Sequence, residues 1–278
     1  MHRFAQMALL AAVSLPIWAQ QASDDANKAP ATPVAATTSA PDVNPDEIIR
    51  KFAAKEKQFA EALQNYVYRQ TSKIQELDES GNAVGKWEIT ADITFTEDGK
   101  RTEHVVHAPV STLKDLLLTP EDMQDLRYTQ PFVLTSDMVP LYDIRYLGKQ
   151  NADEISCYVF AVKPKKQLPG KRYFEGQIWV DDRDFQIVKT YGKAVGRAGD
   201  QQFPKFETLR EQIDGKYWFP TYTHADDTLH FKQGVDIKIR MLVTYKDYKK
   251  FEGKSTIHFG DVVDDKSKDQ PKPDPKKP

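Results

Sequence analysis

The chain has 278 residues, with 39 Lys and Arg against 41 Asp and Glu and a single cysteine. This near-neutral balance gives no basis for nucleic-acid binding, and one cysteine excludes an intramolecular disulfide. The length and an apolar content of 40% suffice for one large domain with a sizeable core.

The N-terminus carries Arg3 and then an apolar run from Phe4 to Trp18. A short basic start, an apolar centre and a small residue at the end form an export-signal pattern. Residues 1–19 are therefore expected to be a signal peptide cleaved after Ala19, and the protein to be periplasmic. The run is too short for a membrane-spanning helix, and no other stretch approaches that length. No cysteine stands near the cleavage site, so an N-terminal lipid anchor is not expected. The one cysteine, Cys157, lies in the apolar run 155–160 and reads as a buried structural thiol. Residues 20–43 are rich in Ala, Pro, Thr and Ser and read as a disordered linker. Residues 264–278 are mostly Lys, Asp and Pro, and bury too little to order as a tail. The folded domain is expected over 44–263.

Asn44-Pro45-Asp46-Glu47 is a helix start, with a capping side chain, Pro in the first turn and acids near the positive end of the dipole. Ile49, Phe52, Phe59, Leu63 and Tyr66 follow at helical spacing. Lys51, Lys55, Glu56 and Lys57 read as the polar face. Strands are expected at 66–77 and 86–96. In the second, Trp87, Ile89, Ala91, Ile93 and Phe95 alternate with polar residues. Asp98-Gly99 turns the chain into a strand from Arg101 to His107.

From Ser111 to Met138 the pattern predicts two short helices. One is capped by Ser111 or Thr112 with Leu113, Leu116 and Leu117 on one side. The other starts at Thr119-Pro120-Glu121-Asp122 with Met123 and Leu126 inward. Phe132 to Val139 reads as an apolar loop. Strands follow at 142–147 and 154–163, the latter apolar on both faces and so expected to be central. A hairpin spans 173–195 around Asp181-Asp182-Arg183-Asp184. Further strands are expected at 203–213, 217–222, 235–245 and 255–262. That makes about eleven antiparallel strands, one long helix and a short-helix insert, a mainly β (α+β) fold. One apolar face per strand demands a cover, which a curved open sheet with helices or a sandwich supplies.

No nucleophile elbow, zinc-helix motif, phosphate loop or dinucleotide fingerprint is present. His224, Asp226, Asp227 and His230 have zinc-compatible side chains, but read as polar residues of a loop between strands. His104 and His107 point to opposite faces of one strand. Asp181, Asp182 and Asp184 lack the glycine and terminal Glu of a calcium loop. No pair of carboxylates is singled out for glycoside hydrolysis. The expectation is therefore no catalytic residue, no metal and no cofactor.

The run Gly176-Gln177-Ile178-Trp179-Val180-Asp181, followed by Asp184-Phe185-Gln186-Ile187-Val188, resembles the signature hairpin of the LolA/LolB-like superfamily. Leu147-Gly148-Lys149, Cys157 to Lys165 and Asp214 to Thr221 are similar to its flanking strands, in the same order. The resemblance implies a half-open antiparallel β-barrel with an apolar cavity lidded by short helices. Members ferry lipoproteins between membranes, bind lipids or act in envelope-stress signalling. The resemblance offers Arg69 as a candidate for its early-strand arginine, and no functional residue is carried over from the family. The implied ligands are lipid or lipoprotein acyl chains, with an envelope protein as the alternative partner. An envelope-polymer hydrolase is a further alternative. The expected lining is Trp87, Ile89, Ile93 and Phe95 on one strand and Ile237, Ile239, Met241 and Val243 on another. Leu116, Leu117 and Met123 form the expected lid.

Overall fold

Asn44 opens the first helix as expected: its side chain accepts a hydrogen bond from the Asp46 backbone at 3.1 Å, and Pro45 stands in the first turn. The computed structural model describes residues 43–129, 131–197, 202–231, 234 and 236–250. The expected signal peptide, the C-terminal tail, most of the linker and the expected strand 255–262 lie outside these residues. Helix α1 (Pro45–Leu63) is followed by β1 (Tyr66–Leu77), β2 (Ala83–Phe95) and β3 (Arg101–His107). Next come the short helix α2 (Pro120–Gln124), a π turn over Asp125–Thr129 and a 3-10 turn over Val139–Leu141. Seven strands complete the described chain: β4 (Tyr142–Ala152), β5 (Ile155–Pro164), β6 (Tyr173–Asp181), β7 (Ile187–Val195), β8 (Phe206–Gln212), β9 (Trp218–Leu229) and β10 (Ile237–Lys250).

All ten strands form one antiparallel sheet in the order β3-β2-β1-β10-β9-β8-β7-β6-β5-β4. Hairpin neighbours pair in sequence, and β10 inserts beside β1 with Tyr66 opposite Lys250. Among the described residues β3 and β4 each have one partner, so the sheet does not close and the fold is a half-open barrel. The 173–195 hairpin forms as read. Its turn is held by the Asp181 and Asp184 carboxylates, which accept from the Arg183 and Gln186 backbones at 2.8 and 3.0 Å.

The concave face is the main core. Tyr68, Ile74, Ile93, Phe160, Phe174, Ile178, Phe206, Met241 and Val243 are buried there in one continuous cluster. Helix α1 covers part of it: the Phe52 ring meets Phe160 at 5.6 Å and Phe59 meets Phe219 at 5.4 Å. A smaller cluster of Leu147, Cys157, Val159, Trp179 and Val188 explains the doubly apolar β5. That strand is covered on both faces, but it is not central: it lies next to the edge strand β4. On this second face Lys189 lies over the Trp179 ring at 4.7 Å and Gln150 accepts from the indole at 2.9 Å, so polar side chains complete the cover.

Four expectations about local structure are corrected. Residues 111–118 contain no helix; they form an irregular strap that bends at Lys114 and Asp115. Residues 218–229 are one strand, so His224 to Asp227 belong to β9 and not to a loop. The strand from Tyr142 does not stop at Gly148 but shifts register there and continues to Ala152. Glu56 is not on the polar face of α1: it is fully buried.

Candidate functional site

Two unlike covers close the concave face, and both are fastened by charge. In α1, Ile48, Phe52, Glu56 and Phe59 share one stripe. Arg210 of β8 donates to Glu56 at 2.9 Å, with both side chains essentially inaccessible. Arg210 also donates to the Phe132 carbonyl, and the Ile187 backbone donates to Glu56 at 3.4 Å. Burial pushes the Glu56 carboxyl above its ordinary range, against the opposing pull of Arg210. A pair this deep is held by its extra hydrogen bonds, because removal of two charges from water offsets their attraction.

The second cover is the insert from 108 to 141. Its strap crosses β2 at Gly85, where a Cβ would lie 2.7 Å from both the Thr112 carbonyl and the Glu76 carboxylate. Thr112 donates from its backbone to the Lys86 carbonyl at 2.8 Å. The buried Glu76 carboxylate of β1 then accepts from the Lys114 and Asp115 backbones at 2.7 and 2.8 Å, and from Leu116 as well. These long-range bonds supply the strap's backbone partners, so it needs no helix. Thr119 and Asp122 form a capping box that starts α2.

Below α2, four charged side chains form a clasp. Arg172, just before β6, donates twice to Asp125 at 2.9 and 2.6 Å. Arg197, just after β7, donates to Asp125 at 2.6 Å and to Asp122 at 2.8 Å, and its guanidinium stacks over Phe203 at 4.9 Å. On the opposite side Arg127 donates to Glu103 of β3 at 2.9 Å. The turn after α2 is thus tied to strands on both flanks of the half-barrel.

The structure brings four expected site residues together. Leu116 and Leu117 of the strap and Ile239 and Met241 of β10 line one cavity of about 60 Å³, with Ile74, Leu118, Phe203 and Leu229 among its other walls. Asp122 and Arg197 of the clasp also border it. Leu117 nevertheless remains 84% exposed. Ile93 and Val243 are buried in the same core, and Trp87, Phe95 and Met123 pack against it half-buried. Ile89 and Ile237 are half-buried.

A second concavity was not legible in the sequence. An open groove of about 580 Å³ runs between α1 and the start of β4. Ile49, Ala53, Val139, Tyr142 and Ile144 line it, together with the charged Asp46, Arg50, Asp143 and Lys165. Its residues come from segments far apart in the chain, and only the position of α1 beside an edge strand joins them.

Arg69 lies away from both concavities: it is exposed and pairs with Asp92 at 2.8 Å. On β9, strand alternation separates His224 and Asp226 from Asp227, and His230 pairs with Asp236 at 2.9 Å. Among the described residues no group of three or more His, Cys, Asp and Glu side chains is placed to hold a metal. None of their helices is long and apolar enough to cross a membrane.

No protein-family model and no curated protein matches the chain. Among solved structures, a DUF1329 family protein from Desulfovibrio piger matches at 14% identity and a TM-score of 0.42, covering 77% of this chain and 96% of that one. A LolA superfamily protein from Nitrosomonas europaea matches at 13% identity and a TM-score of 0.33, covering 76% and 95%. An outer membrane lipoprotein-sorting type domain from Vibrio parahaemolyticus matches at 11% identity and a TM-score of 0.33, covering 72% and 93%. Solved structures similar to this chain thus include LolA superfamily and lipoprotein-sorting proteins.

Proposed function

We propose that the protein is a non-enzymatic periplasmic carrier that holds alkyl chains of lipids or lipoproteins against the concave face, with the insert as a displaceable lid. One observation carries the reading: Leu116 and Leu117 of the insert meet Ile239 and Met241 of the sheet around one cavity with mostly apolar walls. At about 60 Å³ the cavity holds roughly two water volumes. Ligand pockets run to several hundred Å³, so in this reading the cavity is closed and an acyl chain enters by taking the place of the half-buried Leu116 and Leu118. Each methylene moved out of water contributes about 0.8 kcal/mol. A long chain therefore exceeds the few backbone bonds that hold the strap on Glu76.

Native mass spectrometry of the protein, before and after organic extraction, tests this. The expected result is an adduct of fatty-acyl or phospholipid mass that extraction removes and a fluorescent fatty acid replaces. A bare mass with no uptake of the probe overturns the carrier reading.

A second reading, a protein-interaction module of the same fold, is favoured by the edge strand β3. Its outer side has no strand partner among the described residues, and Val105 and Val106 are exposed on it. Capture of a stoichiometric envelope protein by lipid-free protein, with capture lost in Val105→Lys, supports that reading. Recovery of lipid alone excludes it.

A further inference from the structure

The segment that runs from β5 to β6, at the end of the sheet where β4 begins, has a charge pattern found nowhere else in the sequence, although Asp143 of β4 stands opposite Lys163. No Asp or Glu occurs between Glu154 and Glu175, whereas Lys163, Lys165, Lys166, Lys171 and Arg172 crowd the end of this interval. Two of these cations are committed within the fold: Lys163 lies 3.8 Å from Glu175, and Arg172 belongs to the clasp on Asp125. Lys165, Lys166 and Lys171 are exposed.

Large apolar side chains stand exposed in the same place. Leu141 is 53% accessible and Leu168 39%. The Lys165 backbone donates to the Leu141 carbonyl at 2.9 Å and its ammonium to the Pro140 carbonyl at 3.1 Å. The Lys171 backbone donates to the Leu168 carbonyl at 3.1 Å. The 3-10 turn and the β5–β6 loop therefore leave the sheet as one tip that interleaves leucine and lysine.

We propose that this tip docks on an anionic lipid bilayer, with Leu141 and Leu168 entering the interfacial layer and Lys165, Lys166 and Lys171 against the headgroups. Cations attract the surface over about a Debye length, and apolar side chains anchor the contact once it forms. An acidic peptide would satisfy the lysines and leave both leucines in water, so the combination favours lipid. Pro140 and Lys165 also line the groove beside α1, so docking sets the mouth of that groove at the bilayer surface. The proposal does not rest on the carrier reading, because vesicle binding is measured with no cargo in transit.

Cosedimentation of the full chain with vesicles of phosphatidylglycerol and phosphatidylcholine, against phosphatidylcholine alone, tests it. Binding is expected on the anionic vesicles and is expected to weaken as salt rises. At about 5-fold per lysine, the combined Lys165→Gln, Lys166→Gln and Lys171→Gln variant loses on the order of 100-fold in partitioning. Leu141→Ser with Leu168→Ser lowers binding further at a salt concentration that screens the lysines. Lys249→Gln with Lys250→Gln, exposed on β10 several strands from the tip, changes it little. All the tip side chains are exposed, so circular dichroism should show an unchanged fold. Equal binding to both vesicle types, or by the triple variant, overturns the proposal. So does binding to soluble polyglutamate that competes fully with vesicles and ignores the leucine substitutions.

Discussion

The two covers of the concave face differ in how they are built. Helix α1 is 19 residues of regular structure with a capped start, aromatic anchors and a fully buried ion pair. The insert beside it contains one five-residue α-helix, an irregular strap and the 84% exposed Leu117. Its first part is fastened mostly by hydrogen bonds and charge, Glu76 on the strap and Asp122 and Asp125 on Arg172 and Arg197, whereas Leu126, Phe132 and Leu134 further along are buried in the core. Apolar contacts spread over a helix release only together with the core, whereas a segment tied at a few polar points can open locally. Under the proposed function, the contrast makes α1 part of the scaffold and the strap with α2 the lid.

Substitutions that cut each fastening separate the two roles. The largest effect is expected for Glu56→Ala, which strands Arg210 in the core. Urea unfolding should show a loss of about 3–5 kcal/mol. Asp125→Ala removes the shared partner of Arg172 and Arg197, but the insert can open to hydrate them. The global loss should be smaller, about 1–3 kcal/mol, with amide exchange raised first around Asp122 to Leu126. A loss equal to that of Glu56→Ala, with exchange raised evenly through α1, would erase the distinction.

Smaller still is the effect of Gly85→Ala. The added methyl must push the strap off β2, at about 1–2 kcal/mol for overpacking. Exchange should rise at Lys114 to Leu116 and uptake of a fatty-acid probe should be faster. The smallest effect concerns Cys157 of β5. Burial pushes its thiol up to about 12, so it stays protonated at pH 8. It should ignore a thiol reagent in the native state and in ligand-bound protein, and react fully in urea. Reaction upon ligand binding alone would mean that the sheet opens as well as the lid.

Much of the scaffold is legible in the sequence because it rests on local signals. Asn44-Pro45 marks the helix start, alternation marks β2 and β10, and the acidic cluster marks the 181–186 turn. Glu56 was misread among its lysine neighbours, although its position four residues after Phe52 and three before Phe59 puts it in the apolar stripe. The strap was misread for a different reason. Its backbone partners, Glu76 and Lys86, lie more than 20 residues away, so no local pattern records them. The polar run His224 to Asp227 suggested a loop, yet Ala225 and Leu229 keep the alternation of a strand with one wet face. Of the candidate site, the leucines and the β10 floor were readable as apolar residues. Their meeting around one cavity, and the groove beside β4, depend on topology.

Hydrogen exchange of the insert, measured with and without saturating laurate, tests the central claim most directly. The account predicts that amides at Lys114 to Leu118 and Asp122 to Leu126 exchange faster when laurate is bound, while those of Phe52 to Phe59 do not change. Insert amides as protected as α1 and indifferent to laurate would contradict it, and the concave face would then be a closed core.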